Sequence, residues 1–386
     1  MASQLITGLA VMSLVILMLV FVLRKMQQPN FVAYIMAGIL LGPEVLNVFQ
    51  RNETISGLGE LGVVLLMFFV GAEIDLSTLS KNFLRPMAAA AAQLCFSFAF
   101  ISLLSLYFEW DPKLIVLLSF IVSLSSSAIV FQYLDKTGQM RTALGLLACG
   151  VLLMQDLLVV PMLFVLNLLS GQEIATGQLI KASIGAVFSG LFLWAAVVKR
   201  LLRIPFKEEL AQDHDLQVFV GFLLCFGMAW FSWFFGLSPA LGAFLAGILI
   251  GQDKATSWLD KALVPFRVFF MAFFFISVGL QIDLGFFGDH LAVIAALTLT
   301  VLLANSLINT VVFRITGQKW RDSLYAGALL SQIGEFSFVL MTLANSMGMV
   351  NDAAHQTMLS VIALTMIFSA IWVKIMQRFI FRIFKL

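Results

Sequence analysis

Long apolar runs separated by short polar loops make up most of the chain. Most of these runs reach the roughly 20 residues that a helix needs to cross a bilayer, although 30–47 and 237–251 are short and interrupted. The pattern predicts an all-α membrane protein with about 13 transmembrane helices. The thirteen hydrophobic segments are 5–23, 30–47, 58–76, 86–108, 114–134, 142–169, 178–198, 216–235, 237–251, 262–281, 291–313, 323–346 and 356–380.

The composition agrees with this interpretation. The chain of 386 residues is 61% hydrophobic and 11% charged, whereas a soluble domain is about 45–50% apolar and about 25% charged. Arg24 and Lys25 follow the first segment instead of preceding it. Because this is the reverse of a secretory signal peptide, we interpret that segment as a mature span. The three cysteines all lie in hydrophobic segments and are interpreted as apolar fillers.

The basic residues test both the number of segments and their orientation. With thirteen spans and the N-terminus outside, 20 of the 23 Lys and Arg residues fall in inner loops. Only Arg51, Lys113 and Lys181 fall in outer loops. Because cytoplasmic loops carry an excess of Lys and Arg, this distribution supports the count and predicts a cytoplasmic C-terminus.

An internal repeat links the two halves of the chain. Its copies are offset by 208 or 209 residues, which is seven crossings, so the second copy is predicted to lie upside down relative to the first. Inverted repeats whose interrupted helices meet near the midplane are typical of secondary transporters. The matching strings are AGILLG (37–42) with AGILIG (246–251), VGAEIDL (70–76) with VGLQIDL (278–284), and SLSSSA (123–128) with SQIGEF (331–336).

The repeat predicts the domain organisation. We expect two inverted repeats of six helices each, at 1–170 and 213–386, joined by a linker helix and cytoplasmic loop at 171–212. The Ser-rich string and its partner lie inside apolar spans, so both spans are predicted to be broken helices that cross in opposite senses.

One acid lies in the middle of a long apolar span. Asp156, with Gln155 beside it, is the single ionisable residue of 142–169. A carboxylate there costs at least about 2.5–3.5 kcal/mol on insertion scales, so it is a functional candidate, although a buried Asp bonded to neighbouring helices is an alternative. Pro161 cannot donate to the carbonyl of Leu157 and leaves that acceptor free near the acid. We therefore expect Asp156 to hold either a proton or a cation.

The two strings at the predicted breaks supply further polar groups. Ser side chains favour local unwinding, although hydroxyls that bond back to the preceding turn are the ordinary alternative. Gly334 is a helix breaker, and Glu335 is a second acid, which we expect to neutralise helix N-termini rather than carry substrate. We expect the side-chain oxygens of Gln155 and of three serines to surround a cation at Asp156, and two further polar residues to support the site. The three serines are Ser125, Ser126 and Ser127, and the supporting residues are Ser331 and Gln332.

Other polar residues carry weaker signals. Glu73 and Asp75, at the inner end of the third span, are expected to anchor an interface or loop. We place His214, His290 and His355 in loops, where histidines are usually solvated. The sequence contains no Gly-rich phosphate loop, metal-ligand cluster or nucleophile triad, so an enzymatic function has no support.

Several strings together resemble the monovalent cation–proton antiporter superfamily, and specifically the bacterial Kef-type potassium–proton antiporters. The resemblance runs along nearly the whole chain. Its pieces are YIMAGILLGP (34–43), LGVVLLMFFVGAEID (61–75), LSSSAIV (124–130), QD (155–156), LGAFLAGILIG (241–251), FFISVGLQIDL (274–284) and LSQIGEFSFVL (330–340).

The resemblance implies a homodimer in the bacterial inner membrane, in which Asp156 carries the cation and the proton.

Two departures from the family pattern stand out. Asn305 occupies the position where relatives commonly have a Lys. Kef-type proteins also usually continue into a cytosolic nucleotide-binding domain that binds glutathione or its adducts. Because this chain stops within the basic stretch FIFRIFKL, we expect the natural protein to be longer.

The sequence thus favours a secondary antiporter that exchanges potassium, or alternatively sodium, for protons at Asp156. No cofactor is expected in this chain, and nucleic acid is not an expected partner. A gated cation channel is the main rival, but a pore needs several weak sites in file and not one titratable carrier. A membrane-embedded sensor without ion flux would leave the two broken helices unexplained.

Overall fold

The computed structural model describes residues 2–25, 28–49, 53–73, 84–170, 184–185, 213–235, 239–251 and 257–383. Apart from one isolated antiparallel bridge, the regular structure of these residues is helical. The helices are α1 (Ala2–Lys25), α2 (Asn30–Leu41), α3 (Glu53–Glu73), α4 (Leu84–Phe108), α5 (Pro112–Ser123), α6 (Ser127–Lys136), α7 (Ala143–Leu169), α8 (His214–Phe234), α9 (Pro239–Gly251), α10 (Ser257–Gln281), α11 (Leu284–Asp289), α12 (Leu291–Ile315), α13 (Trp320–Leu329), α14 (Phe336–Ser346) and α15 (Asp352–Ile383).

The helices follow the predicted hydrophobic segments closely. Twelve of the thirteen segments coincide with helices, and the remaining one, 178–198, lies almost entirely outside the described residues. Within the described part of the chain, seven helices are long and apolar enough to cross a membrane. The predicted all-α membrane fold is confirmed. The predicted breaks are also present, since 114–134 forms α5 and α6 and 323–346 forms α13 and α14.

Capping residues explain where several helices begin. Asp111 precedes α5, its carboxylate accepts from the backbone N–H of Lys113, and Pro112 occupies the first helical position. Proline is favoured there because its missing N–H would have no helical partner. Asp213 caps α8 in the same way by accepting from the N–H groups of Asp215 and Leu216.

The chain divides into two compact units. The first unit contains residues 1–51, 82–162 and 278–386, and the second contains 52–81 and 163–277. Each unit therefore draws on both halves of the chain, which is a different division from the predicted repeats at 1–170 and 213–386. Those repeat boundaries stay a prediction.

In the second unit, α3 and α9 touch backbone to backbone. A side chain at Gly71 would collide with the backbone of Phe244, Gly247 and Ile248. Only glycine allows two helices to approach so closely. Large apolar side chains such as Phe68 and Phe69 then fill the core of this unit around the contact.

The first unit contains the same contact, built from the other copies of the repeat. A side chain at Gly279, near the end of α10, would collide with the backbone of Ile35, Gly38 and Ile39 in α2. The two contacts use equivalent positions of the repeat. Gly279 corresponds to Gly71 with an offset of 208, and Phe244 corresponds to Ile35 with an offset of 209. The sequence repeat is thus also a repeat of packing.

Candidate functional site

Two broken helices meet in the first unit. The extended peptide between α5 and α6 pairs with the one between α13 and α14 through the antiparallel bridge of Ser125 and Ile333. The backbone N–H of Gly334 donates to the carbonyl of Leu124 at 2.8 Å. We call this pair of peptides, residues 124–126 and 330–335, the crossing. Because 125 and 333 differ by 208, the bridge joins equivalent positions of the repeat.

Glycine is required where the two peptides touch. A Cβ atom at position 334 would lie 2.7 Å from the carbonyl oxygen of Ser125 and 3.2 Å from the nitrogen of Ser126. Any larger residue would push the peptides apart. The breaker predicted at Gly334 is therefore confirmed, and its physical role is close backbone approach.

Asp156 lies on α7 beside the first half of the crossing. Its side chain is 9% exposed, and among the side chains that the structure describes it is the only buried Asp, Glu, Lys or Arg. The hydroxyl of Ser127 donates to Oδ2 of Asp156 at 2.9 Å. Because Ser127 begins α6, the carboxylate lies at the positive end of that half-helix, which stabilises its negative charge.

The other two serines of the string have different roles. The hydroxyl of Ser126 accepts from the N–H of Ile129 at 3.4 Å and thereby caps α6. The hydroxyl of Ser125 donates to the carbonyl of Leu330 at 2.9 Å and joins the two halves of the crossing. Of the three serines predicted as ligands, Ser127 is therefore the one whose hydroxyl is bonded to the carboxylate of Asp156.

Gln155 holds the crossing in place. Its Oε1 accepts from the backbone N–H of Ser125 at 2.9 Å, and its Nε2 donates to Oε1 of Gln93 on α4. Gln93 is fully buried and was not predicted from the sequence. Its only signal is one polar amide within the apolar run AAAAAQLCFSF. Pro161 lies further along α7, which continues through it to Leu169.

Two asparagines satisfy the carbonyl ends of the broken helices. The Nδ2 of Asn305, on α12, donates to the carbonyls of Val122 at 3.0 Å and Ser331 at 3.2 Å. One turn further along, the Nδ2 of Asn309 donates to the carbonyl of Leu330 at 3.1 Å. Both side chains are fully buried. Neutral side-chain donors thus occupy the negative C-terminal ends of α5 and α13. Asn309, like Gln93, was not predicted from the sequence.

The second half of the crossing is equally polar. The hydroxyl of Ser331 bonds back to the carbonyl of Ala328 at 2.8 Å, and the N–H of Ile333 donates to Thr365 of α15 at 3.3 Å. Gln332 is fully buried, and neither of its amide atoms hydrogen-bonds to any other residue that the structure describes. Glu335 directly precedes α14 and its side chain makes no capping hydrogen bond to that helix, so its neutralising role stays a prediction.

The remaining candidates lie away from the crossing or outside the described side chains. His290 is exposed in the turn before α12, as predicted. The loop position predicted for His355 is wrong, since it lies in the first turns of α15 and is buried. Glu73 ends α3 and His214 begins α8, but their side chains, like all of Asp75, lie outside the described part of the structure.

Among the described residues, no group of three or more His, Cys, Asp or Glu could hold a metal ion.

Comparison with known proteins gives consistent matches along the chain. The family model described as "Sodium/hydrogen exchanger, transmembrane" matches residues 10–378. The iron transporter MagA of Paramagnetospirillum magneticum is 29% identical over 373 residues, covering 97% of this chain and 86% of that protein.

Solved structures share the fold. The sodium proton antiporter MjNhaP1 from Methanocaldococcus jannaschii at pH 8 matches with a TM-score of 0.65 and 13% identity, covering 97% of this chain and 98% of that one. A second structure of MjNhaP1, from electron microscopy, matches with a TM-score of 0.60 and 14% identity, covering 96% of this chain and 97% of that one.

Proposed function

Because the chain belongs to the sodium/hydrogen exchanger family, we propose that it is a secondary antiporter that exchanges a monovalent cation for a proton at the carboxylate of Asp156. The observation that carries this proposal is the position of that carboxylate. It is buried, bonded to Ser127 and located beside a crossing of two broken helices. Membrane-embedded acids at such crossings are typical ion or proton carriers.

The geometry supports competition between the two substrates. One carboxylate can be neutralised by a bound proton or by a bound monovalent cation, but a single acid does not hold both. The hydroxyl of Ser127 and the N-terminus of α6 stabilise the charged form between these two states. Alternating access, in which the loaded site faces one side of the membrane and then the other, converts this competition into exchange.

We propose potassium as the cation, in line with the Kef-type resemblance. The hydroxyl that donates to Asp156, that of Ser127, is neutral, and so is the amide of Gln155, the preceding residue of α7. A site with one carboxylate and neutral oxygens exerts a weak field, which a large and easily dehydrated ion tolerates better than a small one. A sodium–proton antiporter remains the alternative within the family.

The remaining parts of the proposal concern the setting. We propose a homodimer in a bacterial inner membrane, with the N-terminus outside and the C-terminus in the cytoplasm. The distribution of Lys and Arg supports this orientation. A cytosolic nucleotide- or glutathione-binding regulatory domain is part of the same proposal.

The experiment is cation-driven proton movement in proteoliposomes, with potassium, sodium, lithium and ferrous iron tested separately. We expect alkali cations to drive proton efflux and Asp156→Asn to abolish it, because asparagine keeps the volume of the side chain but cannot release a proton. Asp213→Asn is the matched control. It makes the same change at an exposed helix cap, where asparagine caps equally well, so exchange should persist.

Two results would overturn the proposal. Cation-driven proton movement that persists in folded Asp156→Asn protein would remove the carrier role. Cation flux without any counter-moving proton in the unchanged protein would indicate a channel, and proton-independent flux of ferrous iron alone would indicate an iron transporter.

A further inference from the structure

Gln93 is connected to the candidate site through Gln155. Two hydrogen bonds run in series: the backbone N–H of Ser125 donates to Oε1 of Gln155, and Nε2 of Gln155 donates to Oε1 of Gln93. Gln93 is completely buried and Gln155 is 2% exposed. The chain of bonds therefore links α4, α7 and the first half of the crossing within the first unit.

The backbone N–H of Ser125 determines how both amides point, since Nε2 of Gln93, at the other end, has no hydrogen-bond partner among the described residues. A backbone N–H can only donate, so the atom of Gln155 that faces Ser125 must be the oxygen. The NH2 group of Gln155 then faces Gln93 and needs an acceptor, which only the oxygen of Gln93 can supply. If either amide rotated by half a turn, two donors would meet in a buried place, which is strongly unfavourable.

The second half of the crossing shows why a third residue is needed here. The equivalent N–H, at Ile333, is held by the hydroxyl of Thr365 at 3.3 Å, and that hydroxyl itself donates to the carbonyl of Ile362 at 2.8 Å. The hydroxyl of Thr365 thus finds its acceptor on its own helix. The long amide of Gln155 carries an NH2 group at its other end, and the acceptor for that group comes from a different helix, at Gln93.

We propose that Gln93 is a positioning residue that fixes the oxygen of Gln155 towards the crossing and thereby sets the cation preference of the site. This inference rests on the proposed function. The oxygen of Gln155 has a second lone pair beside the one that Ser125 uses, and it is carried by the residue next to Asp156. Without the acceptor on Gln93, the amide of Gln155 rotates to find another, the N–H of Ser125 is released, and Ser127 loses its alignment with the carboxylate.

The test compares half-saturating potassium and sodium concentrations in proteoliposomes for three variants. Gln93→Met keeps the volume but removes the acceptor, Gln93→Asn keeps an amide that is too short to reach Gln155, and Gln93→Glu keeps the acceptor. Ser97→Ala is the matched control. Ser97 lies one turn further along α4, is equally buried, and its hydroxyl has no hydrogen-bond partner among the described residues.

We expect Gln93→Met and Gln93→Asn to raise the half-saturating potassium concentration by about tenfold, the equivalent of one net hydrogen bond, and to reduce the preference between the two cations. Gln93→Glu keeps the acceptor, so its half-saturating potassium concentration should not rise as it does in Gln93→Met, while its added charge strengthens the field and shifts the preference towards sodium. Ser97→Ala should match the unchanged protein. Because Gln93→Asn retains a polar amide, it serves the test if Gln93→Met fails to fold.

The outcomes separate this inference from the proposed function. If the unchanged protein exchanges ions, Asp156→Asn does not, and yet Gln93→Met and Gln93→Asn behave like Ser97→Ala, then Gln93 has only a structural role and the inference is wrong. If the unchanged protein shows no exchange, the proposed function fails first. A Gln93→Glu variant whose half-saturating potassium concentration rises as much as that of Gln93→Met would also overturn the inference.

Discussion

Gly334→Ala tests whether the close contact at the crossing is needed for ion exchange. The added Cβ atom would lie 2.7 Å from the oxygen and 2.8 Å from the carbon of the Ser125 carbonyl. The backbone at Gly334 does not adopt a left-handed conformation, so alanine would be unfavourable only because of the missing space. To relieve the contact, the two peptides must separate by roughly 0.5–1 Å.

This separation has a calculable cost. Overpacking typically costs about 1–3 kcal/mol. The bond from Gly334 N–H to the carbonyl of Leu124, now 2.8 Å long, would be stretched towards the limit of a hydrogen bond, which costs about 0.5–1.5 kcal/mol more. We therefore expect lower thermal stability, with a loss of about 1.5–4.5 kcal/mol, and slower exchange because Ser125 and the groups bonded to it are displaced.

The assay is proton flux in proteoliposomes combined with thermal unfolding in detergent. Gly227→Ala in α8 is the matched control, since the nearest atom to its added Cβ would be 3.9 Å away and alanine is favoured over glycine in a helix interior. Equal rates and equal unfolding temperatures for the two variants would refute the reasoning.

Two further predictions follow from the neutral side chain of Asn305. Asn305→Leu leaves the carbonyls of Val122 and Ser331 without their common donor, so we expect about 1–3 kcal/mol of lost stability for each buried acceptor. The control is Leu307→Ala at an exposed position of the same helix, and equal unfolding curves for the two variants would contradict this prediction. With Asp156 as the single carrier and Asn305 uncharged, exchange should be one for one and electroneutral. A steady rate that scales with a clamped membrane potential, at about 2.3 kcal/mol per charge per 100 mV, would show that a second charge moves, with Glu335 as the first candidate.

The sequence predicted the features of this fold whose causes are local. Apolar runs, the Ser-rich string and Gly334 determine spans and breaks within a few residues of themselves, and the structure has them there. Asp156 was identifiable because a lone carboxylate in an apolar span has few explanations. The assignment of His355 to a loop failed because α15 begins at Asp352, within polar residues that resemble a connection.

The residues that were missed depend on partners far away in the chain. Gln93, Asn309 and Thr365 are polar residues in apolar helices, and their partners at the crossing or at Gln155 lie 21 to 62 residues away. Nothing in the local pattern indicates which way such a side chain points. Gln155 was expected to supply an oxygen to the cation, whereas the structure bonds that oxygen to Ser125. An amide suits both roles, and only the neighbouring helices decide between them.

The paired glycine contacts have a consequence for how the protein is made. In each unit, a helix from the first half of the chain rests against a helix from the second half, α2 against α10 and α3 against α9. When the ribosome has produced α3, the surface of Gly71 has no partner until α9 has been synthesised about 170 residues later, and α2 waits still longer for Gly279. At about 5–20 residues per second, early helices spend many seconds in the membrane with incomplete packing. Neither half can finish assembling by itself, and the second unit, which ends at residue 277, can be completed before the first, which extends to residue 386.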